Sequence, residues 1–431
     1  MSRVMLTHSQ LRALDRRVIG AAIFSRLLLY GVAAAADWVA PDFDTSTEIY
    51  PGRQDSPVSQ AFAFLARWDA IYFLRVAETH RYEFEHVHAF YPGYPAVVAL
   101  CSVALQFLGL TAEDATLAAG VVVTNVAFVW ATLCFFRLSL KVLSRQKAYR
   151  ATMLFAFPAC GVHTLVPYSE SLFALCTLQG LLAVQTRPQV VPAVASYSQW
   201  YRASLWFALG SATRSTGPLS FVFLLRSAVI VKSKPLWWWV HLVVCGAVVL
   251  APTIIINVFA FNLYCWDPAL QRPWCLQVLP SVYGYVQAKH WGVGFLCYWK
   301  FSNAPRFLLA APALLCAWDG LRRVPELLQE AVEEARRSVG LKQWKTQHAL
   351  WTASTHWATP YAVQLGLMLM ICVFFANVEI FTRIILPCPL FFWHLAALID
   401  DDSSLGRGVL FIHCVFFFVG TILFVNFLPW T

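Results

Sequence analysis

Apolar residues in this chain come in blocks, and the blocks are long. Residues 18–39 (VIGAAIFSRLLLYGVAAAADWV) form the first, enough at helical rise to cross about 30 Å of hydrocarbon. Further apolar runs lie at 93–110, 114–139, 151–167, 170–185, 203–213, 217–231, 236–261, 305–319, 359–377, 384–399 and 408–427. Several are too short to cross alone and suit helices buried among others or ending inside a cavity. The pattern predicts an all-α multipass membrane protein with about 10–12 transmembrane helices. It reads as one polytopic unit over 1–431, with no internal repeat and no soluble domain.

The polar segments assign the sides. MSRVMLTHSQLRALDRR before the first run, KVLSRQKAYR (141–150), KSK (232–234) and the stretch 322–345 carry the basic residues, which in multipass proteins mark the cytoplasm. The N-terminus is therefore expected in the cytoplasm. Residues 320–350 read as a cytoplasmic insert with acids and bases at i, i+4 spacing. Residues 40–91 become a first luminal loop. Within it SQAFAFLARWDAIYFLRVAET sets apolar residues at helical spacing beside Arg67, Asp69, Arg75 and Glu78, the pattern of an interfacial helix. One conflict remains. A luminal 40–91 and a cytoplasmic 141–150 need an odd number of crossings between them, yet two apolar runs intervene. Either 93–110 is partial or re-entrant, or the basic loop breaks the charge rule.

Composition supports this class. Of 431 residues 59% are hydrophobic and 13% charged, about half the charge of a soluble domain. The net charge of +9 belongs to the loops and implies no nucleic-acid partner; the surroundings are membrane lipids. Twelve cysteines show neither CxxC pairing nor zinc-like spacing with histidine, so no metal centre is expected. Cys265 and Cys275, in YCWDPALQRPWC, are candidates for a disulfide if their stretch is luminal.

Polar groups near a bilayer are costly unless paired or wetted. Here they gather on the predicted luminal side: Arg67, Asp69, Glu78, Glu85, His86, Tyr168, Glu170, Arg214, Lys289, Glu379 and Arg383. Carboxylates and guanidiniums at the mouth of a bundle can bind a phosphate and take a proton from an acceptor. Each has a plainer reading. Asp69 either acts there or bridges to Arg67 or Arg75; Glu170 either lies in a site or caps the helix it opens. Arg214 and Arg383 fit helix-end anchors equally well, and Arg26 a snorkelling or paired cation. Asp42 and Asp44 spell DxD without a nucleotide-binding context, and Asp400, Asp401 and Asp402 read as a solvated loop. Pro92, Gly93 and Pro95 enforce a turn where the loop re-enters.

RWDAIYFLRVAE (67–78) followed by EHVHAFYPGYP (85–95) resembles the first luminal loop of the GPI mannosyltransferase 2 family, the PIG-V type. The resemblance continues in PYSESLFAL (167–175), SATRSTG (211–217), PWC (273–275), YGYVQAKHWGVGFLCYWKFSNAPRFLLAAPALL (283–315), EIFTRI (379–384) and the terminal FVNFLPWT. THRYEFEH (79–86) departs from the family's pattern. The resemblance implies a GT-C fold with a catalytic first luminal loop, in the endoplasmic reticulum membrane. Donor and acceptor would be dolichyl-phosphate-mannose and the mono-mannosylated GPI intermediate, joined in an α-1,6 linkage with inversion. A small accessory membrane subunit is a further partner. Asp69 matches the family's acid; Arg67, Trp68, Glu78, Glu85, His86, Tyr91, Tyr168, Ser169, Glu170, Arg214, Lys289, Trp291 and Arg383 are the expected substrate contacts. Arg214, Lys289 and Arg383 are candidates for the lipid phosphate, and no cofactor or metal is expected. The alternatives are another transferase using a dolichyl-phosphate-sugar, or a non-enzymatic lipid transporter or scramblase.

Overall fold

The computed structural model describes residues 7–43, 56–185, 195–230, 234–267, 272–339, 356–400 and 404–428. Asp44, Asp401, Asp402 and parts of the stretches 40–91 and 320–350 lie outside the described residues. Among the described residues the elements are all helical. Long apolar helices form the frame: α1 (His8–Val39), α4 (Ala112–Val142), α7 (Leu236–Tyr264) and α13 (Ser404–Val425) are each long and apolar enough to cross a membrane. Shorter apolar helices stand among them, including α3 (Gly93–Gln106), α5 (Glu170–Val184) and α10 (Thr359–Phe374). The 15 residues of α5 span about 22 Å, less than the hydrocarbon thickness, so it starts inside the protein. Helix α6 (Tyr197–Thr213) begins at a capping box of Ser196 and Gln199, which satisfies two amide donors of its first turn.

Residues 92–140 form a short apolar helix followed by a long one. Tyr94 Oη donates to the carbonyl of Gly120 (3.0 Å) and pairs with Thr124 (2.8 Å), while Ser102 pairs with Thr116 (3.0 Å). Both ends of α3 therefore lie antiparallel along the first half of α4. Helix α4 alone runs on to the far end, where Lys141 Nζ donates to the carbonyls of Leu182 and Gln185. Of the two helices between the first loop and the basic stretch 141–150, only α4 is long and apolar enough to cross a membrane. The turn before α3 is fixed by close packing. A Cβ on Gly93 would stand 2.6 Å from the carbonyl oxygen of Ala212 at the end of α6, so only glycine lets the two backbones meet.

The first loop departs from the single interfacial helix expected over 59–79. It forms a short helix (Pro57–Phe62), a 3-10 turn (Ala63–Leu65) and α2 (Ala70–Thr79). The break falls at Trp68, which takes a left-handed conformation with φ of 54°. Helix α2 packs Phe73, Leu74, Val76 and Ala77 inward, leaving Arg75 outside with Glu78 (3.7 Å) and Glu83 (3.1 Å). Cys265 and Cys275 are joined in a disulfide that folds the end of α7 back on itself. Trp274, fully buried, donates its indole N–H to Glu85 (2.9 Å), tying this loop to the first one. Helix α8 (Val282–Trp291) follows, then α9 (Ala304–Arg322). A sharp break shapes the far wall: Val378–Ile384, whose end is the short α11 (Phe381–Ile384), lies at 93° to α12 (Pro389–Asp400).

Candidate active site

A cavity of about 1070 Å³ opens between the first loop, the residues just before α5, the end of α6, α7, α8, α9, α10, α11 and α13. Asp69 stands on its wall at the head of α2. The turn that presents it is clamped from two directions. From the cavity side, Tyr168 Oη accepts the Asp69 backbone N–H (3.0 Å) and donates to the Arg67 carbonyl (3.5 Å). From behind, Trp68 donates its indole N–H to the Phe424 carbonyl (3.2 Å), and Arg67 Nε donates to that of Val425 (2.9 Å). A non-glycine residue in the left-handed region costs about 1–3 kcal/mol and persists where surroundings over-determine it. These four bonds supply that constraint at Trp68.

Below Asp69 lies a four-membered charge cluster. Glu170, only 1% exposed, receives Arg214 and Arg383 on the same oxygen, each at 2.8 Å. Arg383 Nη2 also reaches Asp69 at 3.4 Å, and its guanidinium lies over the Tyr168 ring. Two cations face two carboxylates, so the desolvation each charge suffers is offset by a partner. Glu170 opens α5, where the helix macrodipole favours an anion. The Asp69 side chain keeps 35% of its surface open, but that opening is onto the cavity within a shell of protein. Burial pushes its pKa above the ordinary carboxylate range; Arg383 opposes the shift and Glu170 adds to it. A carboxylate so raised, open to a cavity and hydrogen-bonded on one side, is suited to accept a proton.

The expected contacts divide. Trp68, Asp69, Tyr91, Tyr168, Ser169, Arg214, Trp291 and Arg383 line the cavity, with Glu170 directly beneath it. The Tyr168 hydroxyl is engaged by backbone, so its part is to hold the turn. Arg67 is a correction: it pairs with Asp37 (2.8 Å) and Asp42 (2.9 Å) and stacks on Phe427, away from the cavity. That also makes Asp42 of the DxD sequence a structural counter-ion. Glu78 belongs to Arg75. Glu85 holds Trp274, Arg272 (3.8 Å) and Lys289 (3.9 Å), and His86 stands against Tyr72, Phe84 and His290. None of Glu78, Glu85, His86 and Lys289 is among the cavity-lining residues; their charges and rings join the loops around it. Arg26, inside α1, donates to Thr164 and lies over Phe128, a paired cation as its plainer reading held.

Arg306, on the first turn of α9, lines the cavity and was not singled out from the sequence. Its signal was there: a lone arginine opening an apolar helix, in NAPRFLLAAP, as Arg383 stands before another. Asn377 and Glu379 complete that wall.

The profile of the family described as Mannosyltransferase (PIG-V) matches residues 16–431. The chain is 27% identical to GPI mannosyltransferase 2 of Drosophila pseudoobscura pseudoobscura, over 96% of this chain and 99% of that one. It is 27% identical to GPI alpha-1,6-mannosyltransferase 2 of Rattus norvegicus, over 92% and 86% of the two chains. Among solved structures it is similar to the oligosaccharyltransferase AglB from Archaeoglobus fulgidus, in complex with an inhibitory peptide and a dolichol-phosphate. That likeness has a TM-score of 0.43 at 12% identity and covers 94% of this chain and 55% of the other.

Proposed function

The chain belongs to the PIG-V mannosyltransferase family, and we propose that it transfers the second mannose of the GPI-anchor precursor, in α-1,6 linkage, from dolichyl-phosphate-mannose. Its relatives carry that name, and the site suits the chemistry. The reaction takes place on the luminal side of the endoplasmic reticulum membrane, within a GT-C arrangement of helices whose N-terminus is cytoplasmic. The disulfide between Cys265 and Cys275, on the cavity side of the bundle, supports that orientation, because disulfides persist in the oxidising lumen.

The observation that carries the mechanism is Asp69 on the cavity wall, pinned by its backbone and facing a guanidinium at 3.4 Å. A β-linked donor and an α product mean inversion in one displacement. The acceptor hydroxyl attacks the anomeric carbon from one face as the lipid phosphate leaves from the other. Asp69 takes the hydroxyl proton. Guanidinium groups, rather than a metal ion, stabilise the charge that develops on the phosphate. Pockets for single drug-sized ligands run to about 1,000 Å³, so the cavity has room for a sugar donor headgroup and part of an acceptor together.

The test is complementation. In cells lacking the second mannosylation, the wild-type chain should restore it, and Asp69→Asn should lower kcat by about 10²–10⁴-fold, the usual worth of a positioned base, at unchanged protein level. Retained transfer by the variant removes Asp69 from the mechanism. Microsomes that mannosylate a defined N-glycan acceptor in place of the GPI acceptor would point to a different transferase.

A further inference from the structure

The cavity holds a second polar group one helical turn from the charge cluster. Glu379 and Arg383 are four residues apart on the segment that breaks at 93° from α12, about 6 Å along its axis at α-helical rise. Arg383 is matched to Asp69 and Glu170, and Arg214 to Glu170. Glu379 instead accepts a hydrogen bond from Tyr298 Oη (2.6 Å), which in turn accepts one from Arg306 (3.0 Å). Arg306 lies 3.9 Å from Glu379 and keeps 55% of its side chain exposed while lining the cavity. Beside it, Asn377 and Glu379 line the cavity, while Asn377 Oδ1 and Glu379 Oε2 are turned away from it, buried with no hydrogen-bond partner among the described residues, and meet a ligand hydroxyl once their side chains rotate.

Buried acceptors without partners call for hydroxyl donors, and an open guanidinium calls for an anion. A sugar phosphate offers both at once. Leu309, Ile371 and Phe375, from α9 and α10 and the residue after it, continue the same wall as an apolar strip, which suits a hydrocarbon chain attached to that phosphate. We propose that Arg306, Asn377 and Glu379 form the mannosyl-phosphate subsite. Arg306 holds the phosphate, the two acceptors take hydroxyls of the mannose, and the lipid leaves along Leu309, Ile371 and Phe375. This rests on the reading of the donor given above. It moves the phosphate away from Arg214 and Arg383, whose task is then to hold Glu170 and Asp69. In the transfer step the acceptor oxygen bonds to the anomeric carbon and the bond from that carbon to the phosphate oxygen breaks. The proton passes to Asp69, and the electron pair stays on the phosphate oxygen, which Arg306 stabilises.

The GPI precursor carries a phosphate too, so the experiment must tell the two apart. Full-length protein in microsomes from cells lacking the second mannosylation would be assayed with dolichyl-phosphate-mannose and a defined acceptor, each varied in turn. Arg306→Gln should raise the donor KM about tenfold, the worth of one hydrogen bond to a charged group, and leave the acceptor KM unchanged. Inhibition by dolichyl phosphate should weaken by the same factor. Arg306→Lys, which keeps the charge and loses the planar fork, should fall between and serves as the readout if the Gln variant fails to accumulate. An unchanged donor KM and unchanged dolichyl phosphate inhibition in either accumulating variant overturns the subsite, as does a rise confined to the acceptor KM. Failure of the wild-type chain to mannosylate the GPI acceptor would instead sink the function proposed above.

Discussion

Replacing Tyr168 by Phe removes one oxygen from the clamp on Asp69 and little else. The ring stays packed between Phe73 (6.0 Å) and Phe424 (5.8 Å) and beneath the Arg383 guanidinium. What disappears is the acceptor for the Asp69 N–H and the donor to the Arg67 carbonyl. A buried amide left without a partner costs about 1–3 kcal/mol, of the same order as the left-handed backbone of Trp68 that the clamp helps to hold. The turn is then free to relax toward an ordinary conformation in which Asp69 no longer meets the acceptor. With about 1.4 kcal/mol per tenfold in rate, kcat should fall about 10–100-fold. Donor and acceptor KM should change little, because the hydroxyl already has protein partners. The assay is steady-state transfer in microsomes, normalised to protein level by immunoblot. A kcat within twofold of wild type, or a loss lying wholly in a KM, would refute the idea that this hydroxyl positions the base.

Two further outcomes follow from the same geometry. A base must be ionised to work, so the rate falls as pH drops through the pKa of Asp69, which burial raises and Arg383 holds partly down; Arg383→Gln should move the acid limb of residual kcat to higher pH, and an unmoved or lowered limb would show that the pair is not coupled. At the turn before α3, Gly93→Ala places a methyl 2.6 Å from the Ala212 carbonyl oxygen and should destabilise the protein by about 1–3 kcal/mol; Gly20→Ala, with nothing within 4 Å, is the control, and equal thermal inactivation of the two would contradict the packing described.

Much of the site was legible because charge is scarce in this sequence. An Asp, a Glu or an Arg among long apolar runs must find a partner or water, and Asp69, Glu170, Arg214 and Arg383 found one another. Which charge pairs with which was not legible. Arg67 is two residues from Asp69, yet it reaches across to Asp37 and Asp42, because the left-handed turn at Trp68 throws the neighbouring side chains apart. Lys289 carries the same charge as Arg306, but only a folded chain reveals that α8 points it at Glu85 while α9 directs Arg306 into the cavity. The apolar pattern located nearly every helix. It could not say that 93–110 turns back along α4, since hydropathy records greasiness and not direction; that fact lies in a few cross-helix hydroxyl pairs.

The bonds behind Trp68 bear on how such a protein is made. Arg67 leans on a carbonyl 358 positions further along the chain, at the tip of α13. Until α13 has been made, the carboxylate's turn lacks that backstop, and only the Tyr168 side of the clamp is there to brace the left-handed kink. The turn that presents Asp69 thus takes its fully braced form only after α13 has been made and packed against it.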